Sequence, residues 1–182
     1  MARLVAFLRA INVGGHIVRM EDLRRLFEEQ GFTDVSTFIA SGNVIFTTRA
    51  RAHALAPRIE KHLREALGYE VPTFLRSEAQ VAEVAAYRPF APVLVSRARM
   101  SYVGFLASDP GEPGRTALRT LASPIEHLHL KGREVYWLTE SPLSESKLSY
   151  AAFEKALKTR ATFRGMNTVE RLAARLASGI DD

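Results

Sequence analysis

The sequence predicts an α+β protein made of two tandem ferredoxin-like (β-α-β-β-α-β) subdomains with mainly antiparallel sheets. Short runs rich in branched and aromatic residues alternate with segments whose apolar residues recur at helical spacing. In the first half of the chain these segments follow the order β-α-β-β-α-β, and the second half repeats that order. The two halves share little sequence, so the prediction depends on a repeat of element order.

The first half contains four predicted strands and two predicted helices. The strands cover residues 3–9, 35–40, 44–48 and 70–75, and the helices cover 20–30 and 50–67. Gly31 and Gly68 follow the helices, where a residue with positive φ commonly ends a helix. Ser41, Gly42 and Asn43 are predicted to form a tight hairpin turn, because Gly and Asn tolerate positive φ.

The second half follows a connecting helix, which begins at a capping box over Ser77–Gln80, and a linker over 88–92. Its predicted strands cover residues 99–106, 125–130, 134–138 and 161–164. Its predicted helices cover residues 113–121, 146–157 and 167–176. We therefore expect a first subdomain over 1–76, a connection over 77–98, and a second subdomain over 99–182.

The first strand is apolar on both of its faces, since Leu4 and Leu8 alternate with Val5 and Phe7. A sheet covered by helices on one face only would alternate apolar and polar residues. We therefore expect its second face to be covered as well, either by the second subdomain or by a homodimer partner. The sequence leaves both a monomer and a homodimer open.

Composition excludes several classes of protein. Hydrophobic residues make up 47% of the 182 residues and charged residues 25%, as in ordinary globular domains. The absence of cysteine excludes disulfides, thiolate nucleophiles, cysteine-type zinc sites and iron–sulfur clusters. No apolar run approaches the roughly 18–20 residues that span a bilayer, and the stretch Leu4–Leu8 is too short for the core of a signal peptide. We expect a cytoplasmic protein with no membrane partner.

The net charge of +5 leaves a nucleic-acid partner open but does not favour it. The cationic residues are spread along the whole chain with acidic residues between them, and no block of like charges occurs. A basic protein of this kind would bind nucleic acid with an affinity that falls steeply as salt rises.

The topology predicts one candidate site. In this fold, the loop after the first strand and the turn of the first hairpin lie at the same edge of the sheet. We name this place the loop edge, and its residues are Arg9, Asn12, Gly14, Gly15, His16, Ser41, Gly42 and Asn43. Loop amides and the planar fork of an arginine bind phosphate or carboxylate groups. We expect a small anionic or phosphate-bearing ligand here and no cofactor; purely structural turns are the alternative.

Other candidate sites are weaker. Lys147, Arg164 and Asn167 could form a second basic site, although Asn167 followed by Glu170 also resembles a helix-capping pair. A hydrolase or transferase that uses His16 with Ser41 ranks last, because no acid is placed to orient the histidine. His127 and His129 alternate on one strand, but too few ligands accompany them, and we predict no metal site.

Three motifs resemble a bacterial family known as a domain of unknown function. They are Leu8-Arg9-Ala10-Ile11-Asn12-Val13-Gly14-Gly15, Ser41-Gly42-Asn43-Val44, and Ser146-Lys147 with Thr162-x-Arg164 and Asn167-Thr168-Val169. The resemblance implies two ferredoxin-like subdomains in tandem and implies no particular activity. The sequence departs from the family pattern at Ala10, where glycine is usual, and at Gly165-Met166, where Asn-Trp is usual.

Overall fold

The structure is a computed structural model, and it describes residues 1–12, 14–50 and 54–179. Val13 of the predicted loop and residues 51–53 of the predicted second helix lie outside the described residues. The strands are β1 (Ala2–Leu8), β2 (Thr33–Phe38), β3 (Asn43–Thr48), β4 (Thr73–Ser77), β5 (Met100–Leu106), β6 (Glu126–Lys131), β7 (Glu134–Thr139) and β8 (Ala161–Gly165). The helices are α1 (Met20–Glu28), α2 (Leu55–Leu67), α3 (Glu78–Ala86), α4 (Pro92–Arg97), α5 (Gly111–Leu121), α6 (Tyr150–Leu157) and α7 (Met166–Ser178).

The strands form two four-stranded antiparallel sheets with interleaved helices. The strand order is β2-β3-β1-β4 in the first sheet and β6-β7-β5-β8 in the second, so the same topology occurs twice. All strand pairs are antiparallel. The predicted fold class, α+β with two tandem ferredoxin-like subdomains, is confirmed.

The chain divides into two compact units. The first unit contains Met1–Ala82 together with the chain from Leu172 onward, and the second contains Glu83–Arg171. The first unit therefore includes the C-terminal end of α7 as well as the first sheet.

In the first unit, the core lies between one face of the sheet and helices α1 and α2. Leu4, Ala6 and Leu8 of β1 belong to this core, because every second residue of a strand points to the same face. Val5 and Phe7 point to the opposite face and are also fully buried. β1 is therefore buried on both faces, which accounts for its continuous run of apolar residues.

In the second unit, aromatic side chains fill the core. Trp137, Phe153 and Phe163 pack together with ring centroids 5.0–6.2 Å apart, the range in which aromatic pairs attract each other. Gly104 of β5 makes room for them, since a Cβ at this position would lie only 2.6 Å from the ring of Phe163.

Several helices differ from the prediction, and three of the differences are instructive. The helix predicted over 146–157 begins at Tyr150, because the Ser149 side chain accepts a hydrogen bond from the backbone N–H of Ala152. Residues 92–97, for which no helix is predicted within the connection over 77–98, form the short helix α4. The last helix begins at Met166, directly after β8, so Asn167 lies within its first turn and the predicted cap at Asn167 is wrong.

The capping box predicted at Ser77 is present. The Ser77 hydroxyl accepts a bond from the Gln80 backbone N–H, and the Gln80 side chain accepts one from the Ser77 backbone N–H. Within the described ranges, no helix is both long enough and apolar enough to cross a bilayer.

Candidate functional site

The structure brings the two loops of the loop edge together through Asn12. Its Nδ2 donates a hydrogen bond to the Ala40 carbonyl at 3.1 Å, while its Oδ1 accepts one from the Val18 N–H at 2.7 Å. The Leu8 N–H donates to the Gly42 carbonyl at 2.8 Å. Asn12 thus connects the turn of the first hairpin to both ends of the loop after β1.

Gly42 and Asn43 shape the hairpin turn. Gly42 has a φ of 74°, and a Cβ at this position would lie 3.1 Å from the Cβ of Ile11. Asn43 is fully buried, and its Nδ2 donates to the Phe38 carbonyl at 3.0 Å and to Ser41 Oγ at 2.8 Å. These residues hold the turn closed, so they support the loop edge from within.

Gly14, Gly15 and His16 form the exposed part of the loop edge. Gly14 and Gly15 have φ values of 62° and 87°, and open space surrounds both of them. His16 is exposed on one side and stacks with its other side on Tyr69, with ring centroids 3.9 Å apart and an angle of 25° between the rings. Gly14, Gly15 and His16 are therefore three consecutive exposed residues.

Tyr69 is a member of this site that sequence reasoning missed. It lies in the connection between α2 and β4 and packs against the core of the first unit, where burial raises the pKa of its phenol. The same connection meets the end of β1, because the Arg9 N–H donates to the Pro72 carbonyl at 2.9 Å. Three segments of the first unit thus meet at the loop edge.

The structure places the three residues of the second predicted site in different surroundings. Lys147 is exposed and precedes α6, and Asn167 is exposed in the first turn of α7. Arg164 is buried in β8, and its Nη1 donates to Thr162 Oγ1 and to the Phe163 carbonyl, both at 2.9 Å. Burial lowers the pKa of Arg164 to about 10, although the nearby Tyr150 acts to raise it.

Arg76 in β4 is a second buried arginine, and it occupies the position in the first sheet that Arg164 occupies in the second. Arg76 pairs with Val5 of β1, and Arg164 pairs with Val103 of β5. Arg76 Nη1 also donates to a neighbouring backbone carbonyl, that of Leu75 at 2.8 Å. The repeat of element order thus includes one residue-level match, and sequence reasoning missed it.

The two histidines of β6 have separate partners. His127 Nε2 lies 3.0 Å from Glu140 Oε1, and His129 Nε2 lies 3.0 Å from the Tyr87 hydroxyl. Across the parts of the chain that the structure describes, no group of three or more His, Cys, Asp or Glu side chains could hold a metal ion.

Comparison with known families identifies the chain. The model of the family described as protein of unknown function DUF1697 matches residues 1–136, which is more than half of the sequence. The chain belongs to the DUF1697 family. The match includes the whole of the loop edge and the strands that carry it. No curated protein matches this DUF1697 sequence.

One solved structure similar to this DUF1697 protein is that of the conserved bacterial protein SP0830 from Streptococcus pneumoniae. The two chains are 23% identical and superpose with a TM-score of 0.73, over 97% of this chain and 99% of the other. At this level of identity the likeness shows the fold alone. It agrees with the two repeated sheets described above.

Proposed function

We propose that the loop edge binds a small anionic ligand that carries a phosphate group. The observation that carries this proposal is the exposed segment Gly14-Gly15-His16. This segment lies between Asn12 and Val18, which are joined by a hydrogen bond, and Asn12 is also bonded to the Ala40 carbonyl. Successive backbone N–H groups in a turn form concave donor sites for anions. The space at the side-chain position of both glycines is open, since an added Cβ would meet no atom within 4 Å.

Two side chains supply hydrogen-bond donors in this proposal. Arg9 lies half-buried at the end of β1, and its guanidinium offers a planar pair of N–H donors that matches phosphate oxygens. His16 adds an imidazole N–H donor. The imidazole stacks on the ring of Tyr69, a contact that favours this orientation of His16.

The hydrogen bonds around the turn favour binding by holding the loops in place before a ligand arrives. Asn12 fixes the loop after β1 to the hairpin, and Asn43 closes the hairpin itself. A site ordered in advance loses less conformational entropy when it binds. In this proposal Asn12 and Asn43 position the loops, because their side-chain amides already bond to other groups of the protein.

Catalysis by His16 and Ser41 stays a prediction with less support. Ser41 Oγ accepts a hydrogen bond from Asn43 Nδ2, and the His16 ring lies against Tyr69. Each side chain is thus oriented by a different neighbour.

Thermal-shift and calorimetric titrations with inorganic phosphate, AMP and ATP at fixed ionic strength test the proposal. We expect at least one of these ligands to raise the melting temperature and to bind with a saturable isotherm. His16→Ala and Arg9→Ala should each weaken binding by about tenfold, which corresponds to about 1.4 kcal/mol. The matched control is His62→Ala, since His62 lies on α2 beside Glu29. Absence of stabilisation by all three ligands, or wild-type affinity in both variants, would contradict the proposal.

A further inference from the structure

The outer edge of β6 in the second unit is available for pairing with another strand. β6 lies at one end of the sheet order β6-β7-β5-β8, so only β7 pairs with it. In an antiparallel pair, successive residues direct their backbone N–H and C=O alternately toward the partner strand and away from it. The Glu140 N–H donates to the Ile125 carbonyl, so residues 125, 127, 129 and 131 face β7 and residues 126, 128 and 130 face outward.

Two of the three outward-facing residues already have partners on that side. The N–H and the C=O of Glu126 both bond to the backbone of Ser123, at 3.2 and 3.1 Å. The Leu130 carbonyl accepts a hydrogen bond from Arg115 Nη1 at 3.0 Å. Leu128 lies between them, is half-buried, and bonds through neither its N–H nor its C=O to another residue on the outer side within the described ranges.

The other three edge strands are less suited to pairing. Polar side chains bond to backbone groups of β4 at Thr73 and Leu75, and to backbone groups of β8 at Ala161 and Phe163. β2 contains a shift of register, whereas β6 pairs with β7 in one regular register throughout. Native proteins protect edge strands by such devices, and the middle of β6 has none of them.

A cleft of about 420 Å³ lies beside this part of β6. Its lining residues come from the region of α5 and from β6, and they are Arg115, Leu118, Arg119, Ala122, Leu128, His129 and Leu130. Because Arg115 both lines the cleft and bonds to the outward-facing carbonyl of Leu130, the cleft lies along the outer edge of the strand. We name it the β6 cleft.

The β6 cleft carries positive charge. Arg115 and Arg119 lie one turn apart on α5, and Arg119 is exposed, with no hydrogen bond or ion pair to another residue that the structure describes. The ion pair of Arg115 with Glu112, at 3.2 Å, is largely exposed and therefore weak. Burial lowers the pKa of His129, and the nearby charges of Arg115 and Lys131 lower it further.

We infer that the β6 cleft binds an acidic peptide in an extended conformation, which adds as a further strand at Leu128 while its carboxylates face Arg115 and Arg119. The peptide backbone supplies an acceptor for the Leu128 N–H and a donor for the Leu128 carbonyl. In strand addition, main-chain hydrogen bonds provide affinity and alternate side chains provide specificity. The bonds already present at Glu126 and Leu130 limit the addition to a short segment.

Hydrogen exchange measured by NMR on the full chain tests the inference. The probe is a short peptide that alternates glutamate with valine and is blocked at both ends. At a peptide concentration of about ten times Kd, exchange of the Leu128 amide should slow by about tenfold. The amides of His127 and His129 should not change, because they already face β7. An analogue with glutamine in place of glutamate should bind about tenfold more weakly, since it lacks the charge that the cleft attracts.

Methylated peptides separate strand addition from charge attraction alone. Only every second N–H of an added strand points to the neighbouring strand. Methylation of either the glutamate amides or the valine amides should therefore prevent binding, while methylation of the other set should be tolerated. We expect the two methylated peptides to differ in Kd by about tenfold or more, since one of them loses its hydrogen bonds to β6.

A pair of variants tests the charge of the cleft. Arg119→Glu places a like charge opposite the peptide carboxylates and should weaken binding by about tenfold or more. Lys155→Glu is the matched control, because Lys155 is exposed on α6 and undergoes the same change of charge. Both positions are on the surface, so both variants should keep the melting temperature of the wild type to within a few degrees, about the effect of a surface substitution.

Four results would overturn the inference. They are an unprotected Leu128 amide at saturation, equal affinity for the glutamate and glutamine peptides, equal affinity for the two methylated peptides, and unchanged affinity in Arg119→Glu. A single-stranded DNA oligomer is titrated in parallel; protection of the Leu128 amide by DNA in place of the peptide would assign the cleft to nucleic acid and would also contradict the inference. The lining of the β6 cleft includes none of the loop-edge residues, so His16→Ala should leave the peptide titration unchanged.

Discussion

Trp137 Nε1 donates a hydrogen bond of 2.6 Å to Glu126 Oε2 inside the core of the second unit. Both residues are buried, and the other carboxylate oxygen of Glu126 accepts a bond of 2.6 Å from the Ser146 hydroxyl. Short bonds to a carboxylate are stronger than bonds between neutral groups. Glu126 therefore attaches the segment before α6 to the sheet while satisfying the indole N–H.

Removing the carboxylate should destabilise the protein. We expect Glu126→Ala to lower the free energy of unfolding by about 3 kcal/mol, because it leaves a buried indole N–H and a hydroxyl without an acceptor. Glu126→Gln keeps an acceptor and should cost only about 1 kcal/mol. Urea denaturation followed by tryptophan fluorescence measures both values, since Trp137 is the one tryptophan of the chain. Glu145→Gln, at an exposed position, serves as the control, and equal stability of Glu126→Ala and wild type would refute this role.

Much of the fold could be predicted because sheets and helices impose different periods on apolar residues. The alternation in β1 and the helical spacing in α2 are strong local signals, and the order of such segments determines the topology. The start of α6 was missed because several serines compete as caps, and only the folded geometry selects Ser149. The loop edge was predictable in position, since topology alone brings the ends of β1 and β2 together.

Other features left no trace in the sequence pattern. Tyr69 is a lone aromatic residue after a helix-ending glycine, and nothing in its spacing relates it to His16. Arg76 and Arg164 are strand arginines, which are ordinarily exposed, so their burial depends on tertiary structure. Arg175 lies about 140 residues from Ser36 along the chain, and only folding makes both line one cleft.

Gly42 and Gly15 provide a matched test of why the loop edge needs glycine. Both have positive φ, but a Cβ at Gly42 would press against Ile11 and Leu8, whereas open space surrounds Gly15. Gly15→Ala should therefore cost about 1 kcal/mol of backbone strain. Gly42→Ala should cost about 2–3 kcal/mol, because crowding adds to the strain. Thermal or urea unfolding of both variants gives the comparison, and a larger loss for Gly15→Ala would contradict it.

Glu140 should make stability depend on pH in acid. Its hydrogen bond with His127 and its bonds with Arg97, which donates through Nε and Nη2, lower the pKa of this carboxyl below its ordinary value of 4.5. A carboxyl whose pKa is lower in the folded state contributes stability above the unfolded pKa and loses it as pH falls through the folded pKa. Glu140→Gln should thus be less stable than wild type at neutral pH, and the difference should shrink below pH 4.5.

Unfolding curves of wild type and Glu140→Gln at several pH values measure this effect. Glu112→Gln is a suitable control, because its ion pair with Arg115 is largely exposed. A stability difference that stays constant from neutral to acid pH would show that the charge of Glu140 contributes nothing.

Variants of Tyr69 test whether the loop edge needs its ring, on which His16 stacks, or its hydroxyl. Its hydroxyl is buried without a hydrogen-bond partner among the described residues, so Tyr69→Phe should leave the melting temperature unchanged or raise it slightly. Because phenylalanine keeps the ring on which His16 stacks, phosphate binding at the loop edge should also survive. Tyr69→Leu removes the aromatic face and should weaken that binding several-fold while keeping an apolar side chain against the core. Calorimetric titration of the two variants decides the matter, since loss of binding in Tyr69→Phe would assign the role to the hydroxyl.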